Sequence, residues 1–220
     1  MLSRLWSMQL QLERGNLLDS YFKLPIPTFR YVHGYFSGCK QVVDIGCSSG
    51  NYLELLPPNS IGLDVDFSLL LQCRARGLRI ICADADKPLP FRDASLDGVL
   101  ASHILEHLRS PIAFLEELHR ILRPQGILVI GLPVEGGVAG PWIKYFKGHR
   151  GAHGHLYSFS PDNLDELLTL SGFRIEKYFF HIAKIGYKKR LLALHDFMQR
   201  LPKGLLYKVS SAYWAVAVRI

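Results

Sequence analysis

Apolar positions follow two rhythms along the chain. Short runs rich in Val, Ile and Leu alternate with segments of helical spacing between Gln41 and Gly131. The runs Gln41–Ile45, Ser60–Val65, Leu78–Ala83, Leu96–Ala101 and Gly126–Gly131 predict strands. Between them, Asn51–Leu56 predicts a short helix ended by Pro57 and Pro58, and Phe67–Gly77 a helix closed by its glycine. Lys87–Ala94 reads as a proline-rich turn, and Pro111–Leu122 as a strongly amphipathic helix. Strands and helices alternating at this spacing predict βαβ units, a parallel sheet and right-handed crossovers.

The flanks differ. Met1–Phe22 has a loose helical pattern broken near Gly15, Pro25 and Pro27 stop it, and Thr28–Phe36 predicts a short aromatic-rich helix. After Leu132 the rhythm lapses: Pro133–Tyr157 is rich in Gly and His, has no period, and is long for a passive connection. Ser160 is suited to cap a helix that has Pro161 at its first position and runs to Leu170. A strand over Phe173–Phe180, a basic helical segment over Tyr187–Arg200 and an alternating strand over Tyr213–Arg219 complete the pattern.

The composition is that of a core-forming domain, and 220 residues suit one α/β unit with elaborations. No apolar run approaches the roughly 20 residues that span a bilayer. The N-terminal stretch lacks the continuous apolar region of a signal peptide, and the four cysteines form no CxxC pair. Reduced thiols and a cytoplasmic location are expected. The net charge of +7 is local: His181–Ser210 carries seven Lys and Arg against Asp196 alone, leaving about +1 elsewhere. Those cations interleave with leucines over residues 184–208. This pattern suits peripheral contact with an anionic membrane, or a helix packed on the sheet. Nucleic acid ranks last, for want of a stacking signature.

Candidate chemistry centres on Val42–Gly50, where a β-branched run meets Asp44 and then the turn Gly46-Cys47-Ser48-Ser49-Gly50. Glycines let a ligand approach the backbone, and a following helix would offer free N–H groups. Asp64 follows twenty residues later at a strand end, the spacing of an acid that holds ribose hydroxyls. The turn is not G-x-G-x-x-G, and Asp44 would repel a pyrophosphate while suiting an ammonium group. S-adenosylmethionine carries an ammonium, a sulfonium and an adenosine but no phosphate, so the charges favour it.

Here the chain resembles the class I S-adenosylmethionine-dependent methyltransferases, in the small-molecule group that includes the ubiquinone-biosynthesis methyltransferases. The likeness covers about 41–180 and rests on ordered motifs: VVDIGCSSGNYL, IGLDVD, CADADKPLPF, SLDGVLASHILEHL, LHRILRPQGILVIGLP and YSFSPDNLDELLTLSGF. It implies an α/β, Rossmann-like, seven-stranded and mostly parallel sheet with helices on both faces and an antiparallel last strand. The single domain would comprise an N-terminal helical cap (1–38), a cofactor-binding half (39–132) and an acceptor-side half (133–220) with a basic insertion (181–210). By the same resemblance, Asp44, Gly46 and Gly50 would line the methionine part, with Cys47 in the turn and Ser48 where many relatives have glycine. Asp64, with Val65 beside it, would serve the ribose. Asp84 and the Ala85 backbone would meet the adenine amine, Asp86 competing for that role. Ser102 and His103 would close the site near the sulfonium. His103, Glu106 and His107, spaced to share one helix face, stand where some quinone-precursor O-methyltransferases bind a divalent metal; packing at a helix start is the plainer reading.

The expected reaction is methyl transfer to a small acceptor, lipophilic or quinone-like. Trp142–Tyr157 is cationic and holds His153 and His155, either of which is a candidate base. Trp6, Tyr21, Phe22, Tyr31, Trp142, Tyr145 and Phe146 are candidate pocket walls. One alternative is a catalytically silent, methyltransferase-like binding subunit, although the intact acids and glycines argue against it. The other is an RNA or protein methyltransferase. Ala101-Ser102-His103-Ile104 replaces the Asn/Asp-Pro-Pro-Tyr type of motif found in amino-group methylation, so a nucleobase nitrogen is disfavoured.

Overall fold

A computed structural model describes residues 26–134, 154–182 and 192–220. The expected helix over Met1–Phe22, most of the Gly- and His-rich segment and residues 183–191 of the basic segment lie outside the described residues. The first described element is α1 (Ile26–Phe36). Next come β1 (Val42–Ile45), a 3-10 turn (Leu53–Leu55), β2 (Ile61–Asp64), α2 (Phe67–Ala75) and β3 (Ile80–Cys82). They are followed by β4 (Leu96–Ser102), a second 3-10 turn (Leu105–His107), α3 (Pro111–Ile121) and β5 (Leu122–Pro133). The chain closes with α4 (Pro161–Leu170), β6 (Phe173–Ile182), α5 (Leu192–Met198), α6 (Lys203–Val209) and β7 (Ser210–Arg219).

The seven strands form one sheet in the order β3-β2-β1-β4-β5-β7-β6. Strands β1 to β5 pair in parallel, whereas β7 runs antiparallel to both β5 and β6. Strand side chains alternate between two apolar layers, which is why these short runs hold as strands buried on both faces. On one face Val43, Val99, Ala101 and Ile130 pack with Leu115 and Leu118 of α3 and Leu164 and Leu168 of α4. On the other, Val42, Leu100, Val129, Phe179 and Trp214 pack with Val32 and Phe36 of α1 and with Leu53. The helix starts are capped as the sequence suggests: the Ser160 hydroxyl accepts the Asn163 N–H at 3.3 Å, and Asp66 accepts those of Ser68 and Leu69 at 2.8 and 3.3 Å.

Three expectations need correction. Asn51–Leu56 is not a helix. Only Leu53–Leu55 turns, because Pro57 and Pro58 follow before a second turn can form. His103, Glu106 and His107 do not share a helix face, since the 3-10 turn begins at Leu105 and His103 precedes it with φ of 53°. The basic segment contributes two short helices, α5 and α6, separated by a break at Pro202.

Strand β6 is an edge, and α5 covers it. The Gln199 side chain accepts the Phe180 N–H and donates to the Phe180 carbonyl, both at 2.8 Å, and the buried His195 reaches the same carbonyl at 3.0 Å. Backbone groups that an edge would leave open are thus paired. Lys203 lies between Asp162 and Asp165 at 2.9 and 2.8 Å, over the Tyr178 ring. Part of the basic segment is therefore built into the body of the domain.

Leu118 is fully buried between α3 and the sheet, whereas Leu170 is 75% exposed at the end of α4. Leu118→Ala is expected to cost about 2–5 kcal/mol in urea unfolding. Leu170→Ala should stay within about 0.5 kcal/mol of the parent.

Candidate active site

Strand order reverses between β1 and β4: from β1 the chain moves outward through β2 and β3, then returns to place β4 on β1's other side. In an open α/β sheet the crevice beyond the carboxyl ends at such a point is where ligands bind. Asp44 and the turn from Gly46 to Gly50 lie at that end of β1, Asp64 at that end of β2, and Ser102 and His103 at that end of β4.

The glycine turn is tightly built. Gly46 and Gly50 have φ of 74° and 84°, and a Cβ on Gly50 would meet Leu78 at 2.8 Å and the Cys73 sulfur at 2.9 Å. Ser48 also takes a left-handed φ, 49°, so the position where many relatives have glycine keeps the glycine conformation at some cost in strain. The Ser48 N–H donates to Asp64 Oδ2 at 2.8 Å, and the Asp66 N–H donates to Asp64 Oδ1 at 2.9 Å. Asp64 thereby joins the turn to β2 while each oxygen keeps accepting capacity. Cys47 is buried, and the Cys73 thiol reaches the Ser48 carbonyl at 3.3 Å. Arg76, at the end of α2, donates to the Ser49 carbonyl at 2.5 Å and pairs with Glu54. That clamp escaped the sequence reading, because nothing in the spacing of Arg76 links it to residue 49.

Asp44 is the anomaly of the site. Its side chain is 1% exposed, and neither carboxylate oxygen has a hydrogen-bond partner among the described residues. Burial, with Asp64 adding repulsion, pushes its pKa up to about 8. A buried acid without a partner at this strand end is the charge that an ammonium ligand would complement.

The remaining candidates spread around the same edge. Val65 is exposed beside Asp64. Asp84 is exposed just beyond β3, with Ala85 half-buried next to it. Asp84 Oδ1 accepts the Asp86 N–H at 2.9 Å, while Asp86 accepts the Arg109 N–H at 2.8 Å. Asp86 is thus engaged in holding the loop before α3, which leaves Asp84 the better placed of the two. The His103 N–H donates to the Gly131 carbonyl at 2.9 Å, its ring lies edge-on to Trp214, and its Nδ1 is 3.5 Å from Glu106 Oε1.

Glu106 is 1% exposed, and neither of its oxygens has a hydrogen-bond partner among the described residues. His155 Nε2 stands 4.0 Å from it, and the His107 and His155 rings meet edge to face at 4.7 Å. The Glu106 carbonyl accepts the N–H groups of Leu156 and Tyr157 at 2.7 and 3.3 Å, which fixes this end of the loop. The expected base His155 therefore stands with Glu106 and His107, and His153 lies outside the described residues. Among the candidate pocket walls only Tyr31 is described. It packs on Phe179 and donates to Asp196 at 3.1 Å, so it joins α1 to α5.

Trp214 and His181, both buried, stand near His103 on the same sheet face, and the sequence reading passed over them. His181 Nδ1 is 2.9 Å from the Ser211 hydroxyl. Burial, with His195 and His103 nearby, pushes its pKa down to about 4 and keeps the ring neutral. The only signal for Trp214 was a pair of large aromatics, Tyr213 and Trp214, in a final strand otherwise rich in alanine and valine.

A Rossmann-like sheet with an antiparallel β7, an acid and glycine turn after β1 and an acid after β2 form the arrangement expected of a class I S-adenosylmethionine-dependent methyltransferase. Comparison with known proteins points the same way: residues 43–130 match the methyltransferase domain family. Over 143 residues the chain is 29% identical to a probable S-adenosylmethionine-dependent methyltransferase of Mycolicibacterium smegmatis, covering 62% of this chain and 53% of that protein. Over 101 residues it is 40% identical to the phthiotriol/phenolphthiotriol dimycocerosates methyltransferase of Mycobacterium tuberculosis, covering 40% of this chain and 36% of that protein. The chain thus spans about half the length, or less, of these curated relatives. A crystal structure of a SAM-dependent methyltransferase from Archaeoglobus fulgidus shares the fold, with a TM-score of 0.65 and 24% identity over 88% of this chain and 92% of that one. S-adenosylmethionine is the cofactor that this family implies.

The raised pKa of Asp44 has a defined sign. In the unfolded chain Asp44 ionises near pH 4, whereas in the ligand-free fold it keeps its proton up to about pH 8. Between these values the folded state binds the extra proton, so this residue's contribution to stability falls as pH rises. Urea unfolding should show Asp44→Asn gaining on the parent steadily from about pH 5 to about pH 8. A difference that stays flat with pH would contradict the buried, protonated acid.

Proposed function

We propose that the chain is an S-adenosylmethionine-dependent methyltransferase acting on a small, lipophilic acceptor. The observation that carries this reading is Asp44, a buried carboxyl without a hydrogen-bond partner among the described residues, near the end of β1 beside the glycine turn. It complements the ammonium of the cofactor's methionine part. Asp64 would accept from the ribose hydroxyls while keeping its two backbone donors. Asp84, Ala85 and Val65 would meet the adenosine, and Ser102 and His103 would border the sulfonium. When bound, the cofactor supplies an electrophilic methyl group. The chain's own part is to hold that group and an acceptor in line, which alone accounts for much of the rate of such a displacement.

Two observations support a lipophilic acceptor. One relative is named for methylating phthiotriol and phenolphthiotriol dimycocerosates. In addition, α5 and α6 turn Leu194, Phe197 and Leu205 outward at 45%, 61% and 48% exposure, in a segment that the sequence shows to be basic. Apolar side chains among cations suit the surface of an anionic membrane, where such an acceptor resides. No described helix is long and apolar enough to cross one.

Extracts incubated with methyl-labelled cofactor and the enzyme are expected to place label in a solvent-extractable small molecule, read by mass spectrometry. Label confined to RNA or protein would refute the acceptor class. In calorimetry Asp64→Ala should weaken cofactor binding roughly tenfold or more, the loss of a charge-assisted hydrogen bond. The parent protein should co-sediment with vesicles containing phosphatidylglycerol, and Phe197→Asp should sediment less. Sedimentation indifferent to the anionic lipid would remove the membrane contact.

A further inference from the structure

The glycine turn after β1 is not followed by the helix that would stiffen it. Asn51–Leu56 folds as one 3-10 turn, Leu53–Leu55, and Leu56 is already extended. A full helix would hold the exit of the glycine turn through successive N–H bonds to carbonyls four residues back. Among the described residues, the Glu54 N–H to the Gly50 carbonyl at 3.2 Å is the one such bond across this exit. Leu55 and Leu56 make the tighter bonds of a 3-10 turn, to Tyr52 and Leu53 at 2.8 and 3.2 Å, and such short pieces have poorer hydrogen-bond geometry than an α-helix. The exit needs another support.

Arg76 supplies it. Arg76 is the C-cap of α2, where Gly77 takes a φ of 75° and donates to the Arg74 carbonyl at 2.9 Å, while Leu78 donates to the Cys73 carbonyl at 3.1 Å. This pair of bonds is the Schellman ending, which fixes the backbone that carries Arg76. Leu70 and Cys73, both fully buried, pin α2 to the body of the domain. From that base Arg76 Nη1 donates to the Ser49 carbonyl at 2.5 Å, Nε donates to Glu54 Oε1 at 2.7 Å, and Nη2 pairs with the same carboxylate. One planar guanidinium thus ties the end of the glycine turn to the 3-10 turn beyond it. A fork of fixed donors holds two acceptors at set angles, which an ammonium on a flexible stem reproduces only in part.

We propose that Arg76 is a positioning residue for S-adenosylmethionine, holding the Gly46–Gly50 turn in its binding shape in place of the missing helix. The assignment rests on the function proposed above. Arg76 acts through Ser49 and Glu54 and not by touching the cofactor. Without it, Ser48 keeps its anchors, Asp64 on its N–H and Cys73 on its carbonyl, while Ser49 loses its own. A turn that adopts the binding shape only part of the time binds more weakly in proportion to that fraction. The Arg76 and Glu54 side chains are 24% and 33% exposed, so salt screens this pair less than one on the open surface.

The test is calorimetry of the full chain with S-adenosylhomocysteine, which keeps the cofactor's ammonium and adenosine, joined to hydrogen exchange without ligand, read by mass spectrometry. Arg76→Ala should weaken binding roughly tenfold, the effect of a turn that is competent about a tenth of the time. Arg76→Lys, which keeps the charge and can still donate to Ser49, should bind within about threefold of the parent. Arg79 also donates to a backbone carbonyl, that of Asn59 at 2.9 Å, but at the opposite ends of β2 and β3. Arg79→Ala should therefore bind within about twofold of the parent. In Arg76→Ala, exchange should quicken in peptides covering residues 46–56 and keep the parent's rate over β4 and β5. Binding by Arg76→Ala equal to the parent's overturns the assignment, and so does a lysine variant no better than alanine. Exchange quickened equally throughout the sheet overturns it too, since that is the mark of a general loss of stability. A parent chain that does not bind S-adenosylhomocysteine overturns the proposed function and this assignment together, an outcome distinct from the others.

Discussion

Asp44 sits inside the sheet, near the end of the interior strand β1, and it is buried without a hydrogen bond among the described residues. A chain selected for stability alone would place a leucine there, as an unpaired buried acid opposes folding. The arrangement around it is built to keep that acid in place. Strands β2 and β4 flank β1 on both sides in parallel register, and Gly46 turns the chain sharply just beyond the acid. The Leu63 carbonyl then accepts the N–H groups of Gly46 and Cys47 at 2.7 and 3.1 Å, so β2 determines where the turn goes. Under the proposed function, proton and cofactor binding at Asp44 would be coupled, since an ammonium beside it favours the ionised form.

The same logic applies to the turn's other residues. Ser48 accepts a left-handed backbone that glycine would take without penalty, and its N–H is aimed at Asp64. Three elements thus converge on one small turn: β1 delivers it, β2 anchors it through Asp64, and α2 clamps it through Arg76 and Cys73. Strain at such a place is tolerated where the surroundings over-determine the geometry. A rigid cradle limits the conformational freedom lost on ligand binding.

Much of this was legible in the sequence, for reasons that can be located. Strands buried on both faces read as continuous apolar runs, so β1, β2, β4 and β5 stood out, as did the capped helices α3 and α4. Acids at strand ends are conspicuous because the strand interior is apolar, and Asp44 and Asp64 were found that way. What escaped depends on tertiary contact. The spacing of His103, Glu106 and His107 fits a helix, but the chain folds there as a single 3-10 turn, since Leu108 is already extended ahead of the N-cap Ser110 and Pro111. Arg76, Trp214 and His181 act across the sheet or between elements, and no local period marks such contacts. The short helix α6 was missed because Pro202 and Gly204 interrupt its pattern.

The acceptor side is where this chain departs most from a plain nucleoside-binding sheet. Trp214 stacks on Phe179 with planes 4° apart and presents an edge to both Tyr52 and His103. Gly131, opposite it on β5, must lack a side chain, since a Cβ there would approach the indole to 2.5 Å. An aromatic wall therefore runs from β6 through β7 to the end of β4, with the neutral His181 at its margin and few charges along it. Trp214 and Phe179 are buried against α1, so this wall is core that holds the end of β4 in place. Among the described residues of the basic segment, Lys203 is held by Asp162 and Asp165 on α4, far along the chain from the glycine turn. The glycine turn at β1 and β2 and the aromatic core at β6 and β7 thus lie in different parts of one sheet.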